Sequence, residues 1–251
     1  MRQLLAGALV GVFCLGSGAA LAAEAKVPAY DWSFEGVFGR FDRAAMQRGL
    51  QVYREVCSGC HSLRLIAFRN LAALGYDEAE ITEIAGEYSV IDGPDDEGEM
   101  FERQGRPSDR FPPPFPNAKA AAAANNGAVP PDLSLMAKAR KGGPSYIRAL
   151  LTGYEEPPAD FELLEGLNYN AYFPGAQIAM PPPLFEDAVE YQDGTPASPD
   201  QMASDVATFL MWTAEPDLET RKRMGIKVIL FLLVFTGVLY ATKRKVWADI
   251  H

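Results

Sequence analysis

The densest chemistry in the 251-residue chain lies in Val56-Cys57-Ser58-Gly59-Cys60-His61-Ser62, which holds two of its three cysteines and one of its two histidines. Thiols and an imidazole at positions i, i+3 and i+4 fall on one face of a helical turn. Several chemistries use a C-x-x-C pair. A zinc site needs two further ligands of a kind the chain lacks, and a thioredoxin-type redox pair expects an α/β pattern that is absent. A disulfide between Cys57 and Cys60 is open to an exported chain but leaves His61 without a role. C-x-x-C-H is the attachment signature of a c-type haem, in which Cys57 and Cys60 add to the two vinyl groups and the His61 imidazole reaches the iron.

Such an iron takes a sixth ligand or keeps an open position. The other histidine, His251, stands at the far end of an apolar C-terminal segment, so methionine, lysine or nothing remains. Met46, Met202 and Met211 fall on helical stretches, Met224 enters the apolar segment, and Met100 and Met136 are further candidates. Met180 differs in setting. The run Gly175-Ala176-Gln177-Ile178-Ala179-Met180 leads into Pro181-Pro182-Pro183, a stiff non-helical segment that presents a side chain with little entropy loss. His/Met ligation raises the haem potential and closes the iron to substrates, which suits one-electron transfer.

The motif is positioned by a helix that Asp42 caps and that places Ala45, Gly49, Val52, Tyr53 and Val56 on one face before running into Cys57. Gly49 costs about 1 kcal/mol against alanine in mid-helix, so another backbone is expected to pack closely there. The matching late helix opens at Ser198-Pro199-Asp200-Gln201, carries Met202, Val206, Phe209, Leu210 and Thr213 as a stripe, and ends at Glu215-Pro216. Leu133 to Arg140 and Pro144 to Gly153 read as short helices. Gly93 to Gly98 and Phe111 to Pro116 read as exposed loop within an acidic, proline-rich insertion over 77–117. No sustained alternation predicts a large sheet. The expected class is mainly α, with loop insertions and one C-terminal transmembrane helix.

Both ends bear on location. Arg2, the apolar run from Leu4 to Leu15 and the small-x-small site Ala20-Leu21-Ala22 read as a signal peptide over 1–22, which would remove Cys14. Val228 to Thr242 is uncharged, and with Gly225 included the stretch reaches about 18 residues, enough to span a bilayer. Basic clusters flank it at Arg221-Lys222-Arg223 and Lys243-Arg244-Lys245, so a membrane anchor is expected over 221–245. The domain of residues 23–220 is then exported, and a short tail, 246–251, faces the cytoplasm. The net charge is −10, with acid concentrated between Asp77 and Asp109, from Glu155 to Glu165 and from Glu186 to Asp193. Nucleic acid is excluded as a partner by repulsion, whereas a basic protein is attracted.

Beyond the haem motif, "ANNGAVPPDLS" (Ala124 to Ser134), "YIRALLTGY" (Tyr146 to Tyr154), "YNAYFPGAQIAMPPPL" (Tyr169 to Leu184) and "DVATFLMWTAEP" (Asp205 to Pro216), followed by one C-terminal anchor, resemble the cytochrome c1 family in a bacterial form. The resemblance runs over nearly the whole exported chain and includes the long spacing from His61 to Met180. It implies a mainly α, cytochrome c-like haem domain with loop insertions and one C-terminal transmembrane helix, the haem c subunit of a ubiquinol:cytochrome c oxidoreductase, in the inner membrane with its haem domain on the periplasmic side. Such a subunit is not catalytic by itself. It takes an electron from the Rieske iron–sulfur protein and passes it to a soluble cytochrome c, beside cytochrome b in a dimeric, proton-translocating complex. The resemblance further implies one covalent haem c at Cys57 and Cys60, His61 and Met180 as axial ligands, and Arg140 facing a haem propionate. Two other functions stay open on the residues alone. One is a free-standing membrane-anchored carrier or the haem subunit of another oxidase; the other is a haem enzyme or gas-binding protein with an open iron.

Overall fold

A computed structural model describes residues 26–250. The expected signal peptide, Cys14 and His251 lie outside the described residues.

Two helices form the centre. Helix α1 (Arg43–Val52) is capped by Asp42, whose carboxylate accepts hydrogen bonds from Ala44 N at 2.9 Å and Ala45 N at 3.2 Å. Helix α1 packs on α6 (Pro199–Ala214), whose Met202, Val206, Phe209, Leu210 and Thr213 are all buried as the stripe requires. Gly49 marks the crossing: a Cβ there would stand 2.2 Å from the Asp205 carbonyl oxygen and 2.6 Å from the Phe209 Cβ. The contact is sealed by charge. Arg48 donates from Nε to Asp205 at 2.9 Å and from its terminal nitrogens to Asp205 at 3.0 Å and Asp193 at 2.8 Å, while Asp205 is only 1% exposed. Ser198 caps α6 through Gln201 N as expected. The Gln201 side chain instead reaches forward to Asp205 at 3.1 Å, because the buried carboxylate needs a further donor.

Shorter pieces surround this pair. After a 3₁₀ segment, Phe68–Leu74, come α2 (Glu78–Gly86) and the antiparallel ribbon of β1 (Ser89–Asp92) with β2 (Phe101–Gln104). Helices α3 (Ala118–Ala124), α4 (Met136–Ala139) and α5 (Gly143–Thr152) follow, and α4 and α5 both pack against α6. A second ribbon pairs β3 (Asn168–Tyr169) with β4 (Gln177–Ile178). Sheet is thus confined to two-stranded ribbons among the described residues.

Several expectations need correction. Within 77–117 stand a helix with a reciprocal Asp77–Glu80 cap and a β ribbon, and the expected loop from Gly93 to Gly98 forms the turn of that ribbon. Phe111, expected on an exposed run, is 2% exposed with its ring 4.4 Å from Phe68 and 5.9 Å from Tyr53. The proline pattern around it hid an aromatic whose burial outweighs the loop signal. The helix expected over Leu133 to Arg140 shrinks to α4, because Asp132 accepts from Ser134 N at 2.9 Å and holds the preceding residues in a turn.

Helix α7 (Leu218–Val246) begins three residues before the expected anchor and extends one beyond it. Its 29 residues reach about 44 Å, and its apolar window has mean hydropathy 2.2 with none of it buried. The N-terminal segment braces its root. Trp32, Phe34 and Phe41 stack in sequence, with centroids 5.5 and 5.1 Å apart, and join Leu218 in the core. Phe41 N donates to Glu219 at 3.0 Å, and Lys222 Nζ donates to the Phe34 and Gly39 carbonyls at 2.5 and 3.4 Å.

Candidate haem site

Helix α1 does not continue unchanged into the motif. Over Tyr53–Cys57 the ladder widens to a π turn in which Ser58 N donates to the Tyr53 carbonyl at 2.7 Å. The extra residue re-aims everything downstream, a device that recurs at functional sites. Ser58 Oγ donates to the Arg54 carbonyl at 2.7 Å, giving a partner to a backbone group the irregular ladder would strand. Beyond it, Cys60 N and His61 N both donate to the Cys57 carbonyl, at 3.1 and 2.9 Å. Cys57, Cys60 and His61 therefore occupy one turn, as their spacing predicts. Cys57 is half-buried, Cys60 is exposed, and both sulfurs are unbonded.

The ring of His61 is oriented from its far side. Its Nδ1 lies 2.8 Å from the Pro131 carbonyl oxygen. A carbonyl only accepts, so Nδ1 carries the proton and Nε2 is left with the lone pair, the arrangement that presents an imidazole to a metal. Burial lowers the His61 pKa and keeps the ring in its neutral, ligating form. Pro131 is itself held in place. Leu133 N donates to the Ser62 carbonyl at 2.9 Å, and Asp132 accepts from Ser62 Oγ at 2.8 Å and Arg64 N at 3.0 Å. The buried Tyr53 donates its hydroxyl to the His61 carbonyl at 3.1 Å. These partners escaped the sequence reading because the decisive acceptor is a backbone carbonyl; only the nearby "PPDLS" carried any signal.

The Cys57 thiol is not poised for exchange chemistry. Burial, followed by the neighbouring Cys60, pushes the Cys57 thiol up to about 12, whereas redox pairs depend on a lowered thiol pKa. Two sulfurs on one turn beside a neutral imidazole with a fixed tautomer fit the donor set of a covalently held haem. In that fit Cys57 and Cys60 would hold the macrocycle and His61 the iron.

Met180 arrives on a different segment. It follows β4, and its carbonyl accepts from the Tyr154 hydroxyl at 3.1 Å and from Asn168 Nδ2 at 3.4 Å. With the prolines behind it, the backbone is held from both sides while the side chain stays half-buried. No hydrogen bond joins it to the 57–61 turn among the described residues. Arg140 ends α4 in extended backbone, is exposed, and its guanidinium touches only the Ala139 carbonyl at 3.3 Å. It forms no ion pair among the described residues. Next to Met180 lies an acidic loop, tied on by Leu164 N donating to Gln177 at 2.8 Å and by the β3–β4 pairing. Its Glu155, Glu156, Asp160, Glu162 and Glu165 are exposed.

The model of the Cytochrome C1 family matches residues 32–250. A protein named cytochrome c1 from Rhodospirillum rubrum is 49% identical over 267 aligned residues, covering 99% of this chain and 97% of the relative. The mitochondrial cytochrome c1 heme protein of Schizosaccharomyces pombe is 53% identical over 88% of the chain and 72% of its own length. A cytochrome b/c1 from Bradyrhizobium diazoefficiens is 52% identical over 90% of the chain, which spans only 36% of that longer relative. With likeness of this depth running from the N-terminal aromatic segment to the end of α7, the chain belongs to the cytochrome c1 family, whose members are the covalently haem-bearing subunit of the cytochrome bc1 complex.

Proposed function

We propose that this chain carries one haem c, fastened by Cys57 and Cys60 and ligated by His61 and Met180, and that it passes single electrons from the Rieske iron–sulfur protein to a soluble cytochrome c. The observation that carries the reading is the Nδ1–H of His61 held by the Pro131 carbonyl at 2.8 Å, which leaves Nε2 for a metal. When bound, the haem supplies exchange between ferric and ferrous iron. The protein groups do the rest. Tyr53 and Pro131 fix the ring of His61, Tyr154 and Asn168 fix the backbone at Met180, and Arg140 offers an unpaired cation to a haem propionate. The acidic loop beside Met180 is the docking surface for a basic cytochrome c.

Within the same reading residues 1–22 are removed on export, 23–220 form the periplasmic haem domain, and α7 crosses the inner membrane once, leaving a short cytoplasmic tail. The subunit works inside a dimeric quinol–cytochrome c reductase, and the reductase reaction belongs to the assembly rather than to this chain alone. The apolar, unburied α7 with basic residues in its last turn supports the anchor. Purification in mild detergent tests the assignment: b-type haem absorbance and an iron–sulfur protein are expected to co-purify with the covalent haem of this chain. Covalent haem recovered alone from intact membranes would overturn the complex while leaving the haem site standing.

A further inference from the structure

The N-terminal segment forms a closed loop whose tip, among the described residues, is exposed and without a side-chain hydrogen bond or ring contact. Arg40 N donates to the Ser33 carbonyl at 2.9 Å across its base, and Gly39 N donates to the Gly36 carbonyl at 3.4 Å near its end. Gly36 turns the chain at φ +70, and a Cβ on Gly39 would stand 1.8 Å from the Glu35 carbonyl oxygen, so the tip is tightly wound. At this tip Val37 is 64% and Phe38 82% exposed. Two large apolar side chains at a wound turn are costly in water unless something covers them.

The direction of the loop is given by its bonds to α7. Its base, at Phe41 N, is bonded to Glu219; its middle, at the Phe34 and Gly39 carbonyls, is bonded to Lys222, one turn further along the helix. The two contact points on α7 are thus about 4.5 Å apart along the helix, the second nearer its apolar end, and the tip lies between the two residues that meet that second point. The uncharged run starts at Val228, about 9 Å past Lys222. Exposed Arg40 at the base of the loop and exposed Arg223, next to Lys222 on α7, are suited to the headgroup level of a bilayer that α7 crosses.

We propose that the Gly36–Phe38 turn is a lipid-contacting wedge: Val37 and Phe38 enter the bilayer interface beside the root of α7 and seat the haem domain on the membrane surface. The wedge rests on α7 spanning the bilayer. A protein neighbour is the competing occupant; lipid is favoured because the loop runs alongside a helix whose apolar window is wholly unburied and points the same way.

Nitroxide labels on introduced cysteines test this in the haem-loaded chain reconstituted into phosphatidylcholine–phosphatidylglycerol bilayers, where Cys57 and Cys60 are consumed as thioethers. Accessibility to oxygen and to a water-soluble nickel complex is compared for Phe38→Cys and Val37→Cys, with Leu232→Cys on α7 and Glu97→Cys on the β1–β2 turn as references. The wedge predicts an oxygen-to-nickel ratio at 37 and 38 several-fold above that at 97 and approaching that at 232. Ratios at 37 and 38 equal to that at 97, with 232 in lipid, would overturn the wedge and leave the anchor intact. A water-like ratio at 232 would remove the anchor and the wedge together. Labels shielded from both reagents when the complex is assembled would assign the tip to a protein neighbour and also overturn it.

Discussion

His61, the proposed iron ligand, shows how little of such a site would reside in the ligand itself. Its spacing from the cysteines was legible, since a turn of helix puts i, i+3 and i+4 on one face. Its tautomer was not, because it depends on a carbonyl brought up from residue 131 by hydrogen bonds through Asp132. Met180 is the opposite case. The proline run flagged it, yet the groups that hold its carbonyl, Tyr154 and Asn168, lie on segments whose pairing only the fold reveals. Replacing Met180 with alanine is expected to leave the haem covalently bound but to open the iron. The reduced variant should bind carbon monoxide readily and titrate at a lower potential, while the parent protein resists carbon monoxide. Equal binding by parent and variant would remove Met180 from the ligand set.

Among the elements, the α1–α6 crossing was the most legible, for Gly49 in a helical stripe has few explanations other than close approach. The Gly49→Ala variant gains helix propensity of about 1 kcal/mol, but its new methyl meets the Asp205 carbonyl at 2.2 Å. Overpacking of this kind costs about 1–3 kcal/mol, and backbone on one side leaves little room to yield. A net loss of stability is expected in chemical denaturation of the haem-loaded domain. Less legible was the π turn, whose extra residue changes no periodicity that a stripe of apolar side chains would register.

The α6–α7 junction offers a pH test at the same scale. Glu215 is bonded to Lys138 on α4 and Arg221 on α7. The Lys138 bond first, and Arg221 with it, hold the Glu215 carboxyl below its usual value against the effect of burial. A carboxyl depressed in the fold stabilises above its unfolded pKa, about 4.3, and loses that contribution as pH falls below it. Glu215→Gln should therefore lower the melting temperature at pH 7 by the equivalent of about 1 kcal/mol. The gap from the parent should close as the pH is taken below 4.

Across the whole molecule, charge and apolar surface are sorted to different ends. Acid lies on α2, on the turn of the first ribbon and on the loop beside Met180, while the basic clusters lie within α7 on either side of its apolar run. Some acids are spent internally: Arg103 pairs with Asp92 and Asp109, and Arg48 with Asp193 and Asp205. The loop acids from Glu155 to Glu165 form no ion pair among the described residues, and on the proposed reading they would steer a basic partner. Electron transfer to a basic soluble cytochrome c is expected to slow steeply between low and physiological ionic strength. Neutralising Glu155, Glu156, Glu162 and Glu165 together should flatten that slope in stopped-flow measurements. A rate indifferent to salt would reduce these acids to solubility. The sequence disclosed the acid but not its division into paired and unpaired groups, which needs the folded positions of the arginines.

Only Glu215, Pro216 and Asp217 separate α6 from α7, and this short joint is clasped from both sides by Lys138 and Arg221 while Leu218 is packed in the core. Such a joint cannot swivel freely. If α7 crosses the bilayer and the domain carries its haem as proposed, domain and anchor would move as one lever, and the tilt of α7 would set the angle of the haem to the membrane. Oriented membrane stacks should then yield a single narrow dichroic angle for this haem. Electron donors and acceptors would have to travel to a fixed edge rather than wait for it to turn.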